Sequence, residues 1–124
     1  MATYQGGCHC GAVRFEIRLS EPISSLLECN CSVCRKKGIL HHPADDGQFT
    51  LLSGGDAVAL YQFRSNTAMH WFCRHCGIHT HGRPRSAPER FTVNARCLDD
   101  FAAILPGVTM RYFDGVNHPK DRSA

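Results

Sequence analysis

Ala12-Val13-Arg14-Phe15-Glu16-Ile17-Arg18-Leu19 alternates apolar with charged residues at a period of two, which in a strand sends one set to a core and the other to water. This stretch predicts a half-buried β-strand. Working outward, Phe49 to Leu52, the turn Ser53-Gly54-Gly55-Asp56, and Val58 to Phe63 read as a hairpin, two apolar runs around a glycine turn. Ala68 to Phe72, Ile78 to His81, Phe91 to Asn94 and Val108 to Phe113 are further short strand candidates. Helical signals are confined to single turns at Ser32 to Lys37, before Gly38, and at Leu98 to Ala103, both too short to stand alone. The expected fold is mainly β, in one domain over residues 1–124, with a polar tail from Pro119 to Ala124.

The cysteines fall into three clusters: Cys8-His9-Cys10-Gly11, Cys29-Asn30-Cys31-Ser32-Val33-Cys34, and Cys73-Arg74-His75-Cys76-Gly77. A C-x-x-C pair followed by glycine makes a tight loop whose two sulfurs face one ion, and Gly77 permits the left-handed backbone that the loop needs. Such a knuckle supplies two ligands, and a closed tetrahedral site needs four. Cys8 and Cys10 can supply the other pair. The middle cluster can place three thiolates on one ion from a six-residue loop, so seven ligands divide as four plus three. Four-ligand zinc sites are structural, whereas three protein ligands with an open position are the catalytic pattern. An ion on Cys29, Cys31 and Cys34 could polarise an oxygen, activate water, or hold a substrate thiol as thiolate. Three thiolates weaken Lewis acidity, which favours thiol capture. Cys97 or one of the eight histidines could instead complete this site and make it structural, and an empty or iron-loaded site is a further alternative.

Composition narrows the partners. The chain has 124 residues, of which 43% are hydrophobic, enough for a modest core that bound metal would reinforce. Its formal charge of +3 counts every thiol as neutral; seven ionised thiols and two Zn²⁺ would bring it to zero. Nucleic-acid binding therefore gains nothing from net charge, and the basic clusters Arg35-Lys36-Lys37 and Arg83-Pro84-Arg85 are too short for a backbone-binding stripe. No signal-like start and no apolar run of about 18 residues is present, so no membrane partner and a cytoplasmic location are expected. In a reducing compartment clustered thiols point to metal rather than to disulfides.

Four segments together, Gly6 to Phe15 (GGCHCGAVRF), Cys29 to Cys34 (CNCSVC), Phe72 to Gly77 (FCRHCG) and Val93-Asn94, resemble the glutathione-dependent formaldehyde-activating enzyme and centromere protein V family. The resemblance spans residues 6 to about 98. It implies a β-tent fold of packed antiparallel sheets with zinc knuckles, a structural zinc on Cys8, Cys10, Cys73 and Cys76, and a second on Cys29, Cys31 and Cys34. For the name-giving enzyme it implies a carbon–sulfur lyase activity joining glutathione and formaldehyde as S-hydroxymethylglutathione. This chain has little sequence to spare for a dedicated glutathione-binding insertion.

Further candidates are weaker. His79 and His81, two apart in a strand, would share a face that either meets a ligand or is simply solvated. Asn94 could orient a substrate by its amide or bond a loop. Arg35, Lys36, Lys37, Arg83 and Arg85 could hold carboxylates of a glutathione-like ligand, or be ordinary surface charge. His75 is expected to be exposed, and His41, His42 and His70 have no partner assignable from sequence. Cys97 reads as a small buried hydrophobe, and Trp71 and Phe72 as packing under the metal loop. The leading function is a zinc enzyme acting on a small thiol and an aldehyde; the alternatives are a non-enzymatic module binding a thiol or a protein partner, and a purely structural zinc protein. The oligomeric state is open.

Overall fold

Strand β2 (Arg14–Leu19) does what its alternation predicts: Phe15 and Ile17 are fully buried and Leu19 nearly so. It is the middle strand of a three-stranded antiparallel sheet, flanked by β1 (Ala2–Gly7) and β5 (Phe49–Ser53), with Ile17 opposite Tyr4 and Phe49. The computed structural model describes residues 1–116 of the chain; the polar tail expected at Pro119–Ala124 lies outside them. The remaining described strands are β3 (Ser25–Cys29), β4 (Leu40–Ala44), β6 (Val58–Tyr61), β7 (Met69–Cys73), β8 (His79–Arg83), β9 (Phe91–Asn94) and β10 (Thr109–Phe113). They form a seven-stranded sheet in the order β10-β3-β4-β9-β8-β7-β6. The chain is thus mainly β, with short helices α1 (Ser32–Lys37) and α2 (Phe101–Ile104).

The core lies between the sheets. Phe15, Ile17 and Leu19 meet Leu26, Leu40, Ala44, Val93, Ala95 and Leu98, chiefly from the larger sheet. Each large apolar side chain so buried contributes roughly 1.5–3 kcal/mol. A second buried cluster joins Val13 to Cys8, Ala57 and Cys73, so the residues beneath the knuckle are core as well as candidate ligands. Among the described residues no helix is long and apolar enough to cross a membrane.

Several features depart from the sequence reading, among them β1 and β3, for which no strand was expected. The hairpin expected between Phe49–Leu52 and Val58–Phe63 does not form, because β5 pairs with β2 while β6 pairs with β7. The turn is present, closed by Ala57 and Val58 N–H donating to Gly54 O at 2.8 and 3.1 Å, but it carries the chain from one sheet to the other. Two apolar runs around a glycine fit such a corner as well as they fit a hairpin. The sheets are also not wholly antiparallel, since β10 runs parallel to β3, with Phe113 opposite Cys29. Lastly, β4 was not apparent in sequence, because His41, His42 and Pro43 hide a strand whose Leu40 and Ala44 turn to the core.

Candidate metal centres and the cavity beside one of them

The turn between β1 and β2 carries Cys8 and Cys10; Cys73 ends β7 and Cys76 lies in the turn that leads to β8. The packing of Val13 under both turns brings all four sulfurs within 4.8 Å of one another. Cys10 Sγ lies 3.6 Å from Cys8 Sγ and 3.7 Å from Cys73 Sγ. An ion with metal–sulfur bonds of about 2.3 Å in a tetrahedron sets its sulfurs about 3.8 Å apart, so these residues fit Zn²⁺. Backbone N–H groups of Val13 and His75 donate to Cys8 Sγ and Cys73 Sγ at 3.3 and 3.4 Å. Gly77 adopts the expected left-handed conformation, φ +79°, and its N–H closes the knuckle on Cys73 O at 2.8 Å.

The second group gathers where β3 runs into α1. Cys29, Cys31 and Cys34 also hold their sulfurs within 4.8 Å of one another. Cys31 caps the helix, its sulfur accepting the Cys34 N–H at 3.4 Å, and Cys31 N–H in turn donates to Cys29 Sγ at 3.5 Å. Hydrogen bonds from Cys29 and Cys34 draw Cys31 down to about 2, while the same contacts push Cys34 far up, so the trio's charge gathers on Cys31. Asn30, between the first two cysteines, is tied to the strand beside it: its N–H donates to Phe113 O at 3.2 Å and its amide to Asp114 Oδ1 at 3.2 Å. Gly115 follows so closely that a Cβ there would sit 2.6 Å from Cys29 Sγ.

A cavity of about 500 Å³ opens beside this second group. Cys29, Cys31 and Cys34 line it, and none of the four knuckle cysteines does. Its size is that of a small-molecule site, and Phe63, Met69, Phe91 and Phe113 make much of its wall apolar. Three histidines also line it: His41, His70 and His79. His41 Nε2 lies 3.2 Å from Cys34 Sγ, and its Nδ1 lies 3.0 Å from Thr92 Oγ1. Thr92 Oγ1 and Cys34 Sγ can each donate or accept, so the neutral ring gives its one proton to one of them and accepts from the other. Burial holds His41 neutral, its pKa lowered to about 4. Donors mutually within 4.8 Å stop at the three sulfurs, so His41 is a neighbour of the trio rather than its fourth member.

Nothing in the sequence marked His41 or His70. The signal that would have found His41 is the period-two placement of Leu40 and Ala44, which sends His41 and Pro43 to the opposite face. For His79 and His81 the expectation of one shared face, meeting a ligand or solvated, is overturned. Trp71 pairs with His81 and Phe72 with His79, so a bulge leaves Thr80 unopposed and turns the two histidines to opposite faces. Both are buried. His79 faces the cavity; His81 stacks on Trp71 at 5.1 Å and lies tilted against Phe49 at 4.7 Å, with Thr80 Oγ1 2.8 Å from its Nδ1.

Asn94 is buried with its amide directed to backbone: Nδ2 donates to His79 O at 3.0 Å, and Oδ1 accepts from Arg96 N–H at 3.2 Å. Cys97 joins neither sulfur group; it donates to His79 O at 3.4 Å, and burial pushes its thiol up to about 12. Arg35 lines a separate hollow with Glu28 and Tyr112 rather than the cavity of the histidines. Arg83 and Arg85 do line that cavity, with Arg83 paired to Asp46 at 2.9 Å and lying over the Phe91 ring. His75 is exposed.

Comparison with known proteins agrees with the four motifs. The family described as glutathione-dependent formaldehyde-activating enzyme matches residues 3–114. A curated relative from Halomonas elongata, which carries that enzyme's name provisionally, is 30% identical over 80 residues, covering 58% of this chain and 50% of its own. The chain therefore spans about half the length of that relative. A crystal structure of a Rhodobacter sphaeroides protein superposes with a TM-score of 0.79 at 38% identity, covering 88% of this chain and 99% of that one. With a match that runs through both cysteine groups and nearly the whole described fold, the chain belongs to the glutathione-dependent formaldehyde-activating enzyme family.

Proposed function

We propose that the chain is a zinc-dependent enzyme of the carbon–sulfur lyase class that joins a small, glutathione-like thiol to formaldehyde or a related aldehyde at Cys29, Cys31 and Cys34. The observation that carries this reading is that the three-cysteine group lines the 500 Å³ cavity, while the four-cysteine group does not. Two zinc ions per chain follow, one structural on Cys8, Cys10, Cys73 and Cys76, one at the cavity. An ion on three thiolates, when bound, supplies a position at which an added thiol is held deprotonated.

The chain's own residues supply the rest. His41, held between Thr92 Oγ1 and Cys34 Sγ, fixes the position of that sulfur. The apolar wall of Phe63, Met69 and Phe113 excludes water from a small electrophile and strengthens polar contacts within. Arg83 and Arg85 line the same cavity and suit the carboxylates of a glutathione-like thiol. In the addition a sulfur–carbon bond forms, the carbonyl π pair moves to oxygen, and that oxygen takes up a proton equivalent to the one the thiol released. No group leaves and nothing is oxidised.

The test is metal content by elemental analysis on wild type and Cys31→Ser, then glutathione titration and formaldehyde consumption. The expected result is about two zinc ions falling to about one, with glutathione binding and accelerated formaldehyde loss in the wild type alone. Glutathione binding without turnover would leave a thiol-binding module. One zinc in both proteins and no thiol binding would overturn the reading.

A further inference from the structure

In the cavity that the three cysteines line, the His70 and His79 rings lie tilted against each other with centroids 5.9 Å apart. They are 9% and 5% exposed, and among the described residues neither Nε2 atom has a hydrogen-bond partner. Such orphaned nitrogens are uncommon in a folded interior, and each is destabilising unless something satisfies it. Their proton state can be assigned on one side. Lys37 Nζ lies 3.3 Å from His79 Nδ1, and an ammonium can only donate, so Nδ1 accepts and the His79 ring proton sits on Nε2. Burial, with Lys37 adding to it, keeps that ring neutral.

We infer that His79 Nε2–H, with His70 beside it, forms a binding site for an acceptor oxygen, and that the oxygen is the aldehyde's. The inference rests on the proposed thiol–aldehyde reading of this cavity and identifies where the second substrate sits. The geometry suits the chemistry. As the sulfur–carbon bond forms, charge moves onto the carbonyl oxygen, and a neutral, pre-oriented donor in an apolar cavity stabilises it more than it stabilises the free aldehyde. Lys37 fixes the tautomer by donating to Nδ1, and the Thr80 bulge is what turns His79, rather than His81, to the cavity. His79 is thus the group that touches the reacting oxygen, and Lys37 is a positioning residue behind it.

The experiment uses the zinc-loaded full chain labelled with ¹⁵N-histidine, and formamide as a stable carbonyl of nearly formaldehyde's size. In the wild type, formamide should shift the His79 Nε2–H resonance saturably; His79→Phe should lose that response while keeping zinc content and glutathione affinity. Formaldehyde consumption in His79→Phe should fall on the order of 10²-fold, as when one oxyanion donor is removed. His79→Gln, which retains an N–H donor, should recover most of it. Should His79→Phe misfold, the wild-type titration and His79→Gln still decide. No formamide response in the wild type, as when water alone satisfies these nitrogens, overturns the site, and so does wild-type turnover in His79→Phe. A formamide response without thiol-dependent consumption would keep the oxygen site and remove the thiol–aldehyde reading.

Discussion

Buried among Phe15, Phe49, Trp71 and Phe91, the His81 ring is held neutral, its pKa brought from 6.5 down to about 4 by loss of solvent. The unfolded chain takes up a proton that the folded chain refuses, so stability present above pH 6.5 is lost as the pH falls towards 4. A shift of that size corresponds to on the order of 3 kcal/mol. Guanidinium unfolding at pH 7 and pH 4.5 should show the wild type losing more stability than His81→Phe. Thiolate protonation weakens both proteins alike, so parallel losses would show that His81 does not carry this dependence. The same ring shows where reading residues singly stops. A His-x-His spacing places two imidazoles on one side of a regular strand, and one unopposed threonine is enough to part them. The cysteines were far more legible, because a knuckle is a local loop whose spacing already contains its geometry.

Among the elements, β10 decides the shape of the three-cysteine loop through Phe113, Asp114 and Gly115. In Gly115→Ala the added methyl would meet Cys29 Sγ at 2.6 Å and Cys31 Cβ at 2.7 Å, so the loop must shift. Competition with a chelator should then show the cavity-side ion held about 10–100-fold less tightly, with the knuckle ion unchanged. Equal retention at both centres would mean that the loop tolerates the methyl. The sequence revealed β2, α1 and β9 because each declares itself within a few residues: an alternation, a capped turn, a short β-branched and aromatic run. It did not reveal that β5 and β6 part company or that β10 lies parallel to β3, since partner choice is settled by residues far away in the chain. Strand β4 was missed for a different reason: two histidines and a proline lack the apolar signal, although Leu40 and Ala44 were in register for it.

At the scale of the whole molecule, the two centres differ in what they join. The four-cysteine group ties the turn after β1, in the smaller sheet, to the turn after β7, in the larger, whereas the three-cysteine group lies within six residues beside an open cavity. Stepwise treatment with a chelator should therefore remove one ion early with little change in melting temperature. Removal of the second should be accompanied by unfolding, as expected where binding free energy of roughly 10–16 kcal/mol is also folding free energy. Loss of both ions in one step would make the centres a single cooperative unit. The parallel pairing of β10 with β3 also sets an order of events during synthesis. The loop Cys29–Cys34 leaves the ribosome long before residues 109–115, which shape one side of it, have been made. A nascent chain thus exposes these three thiols before the residues that close one side of their loop have been made.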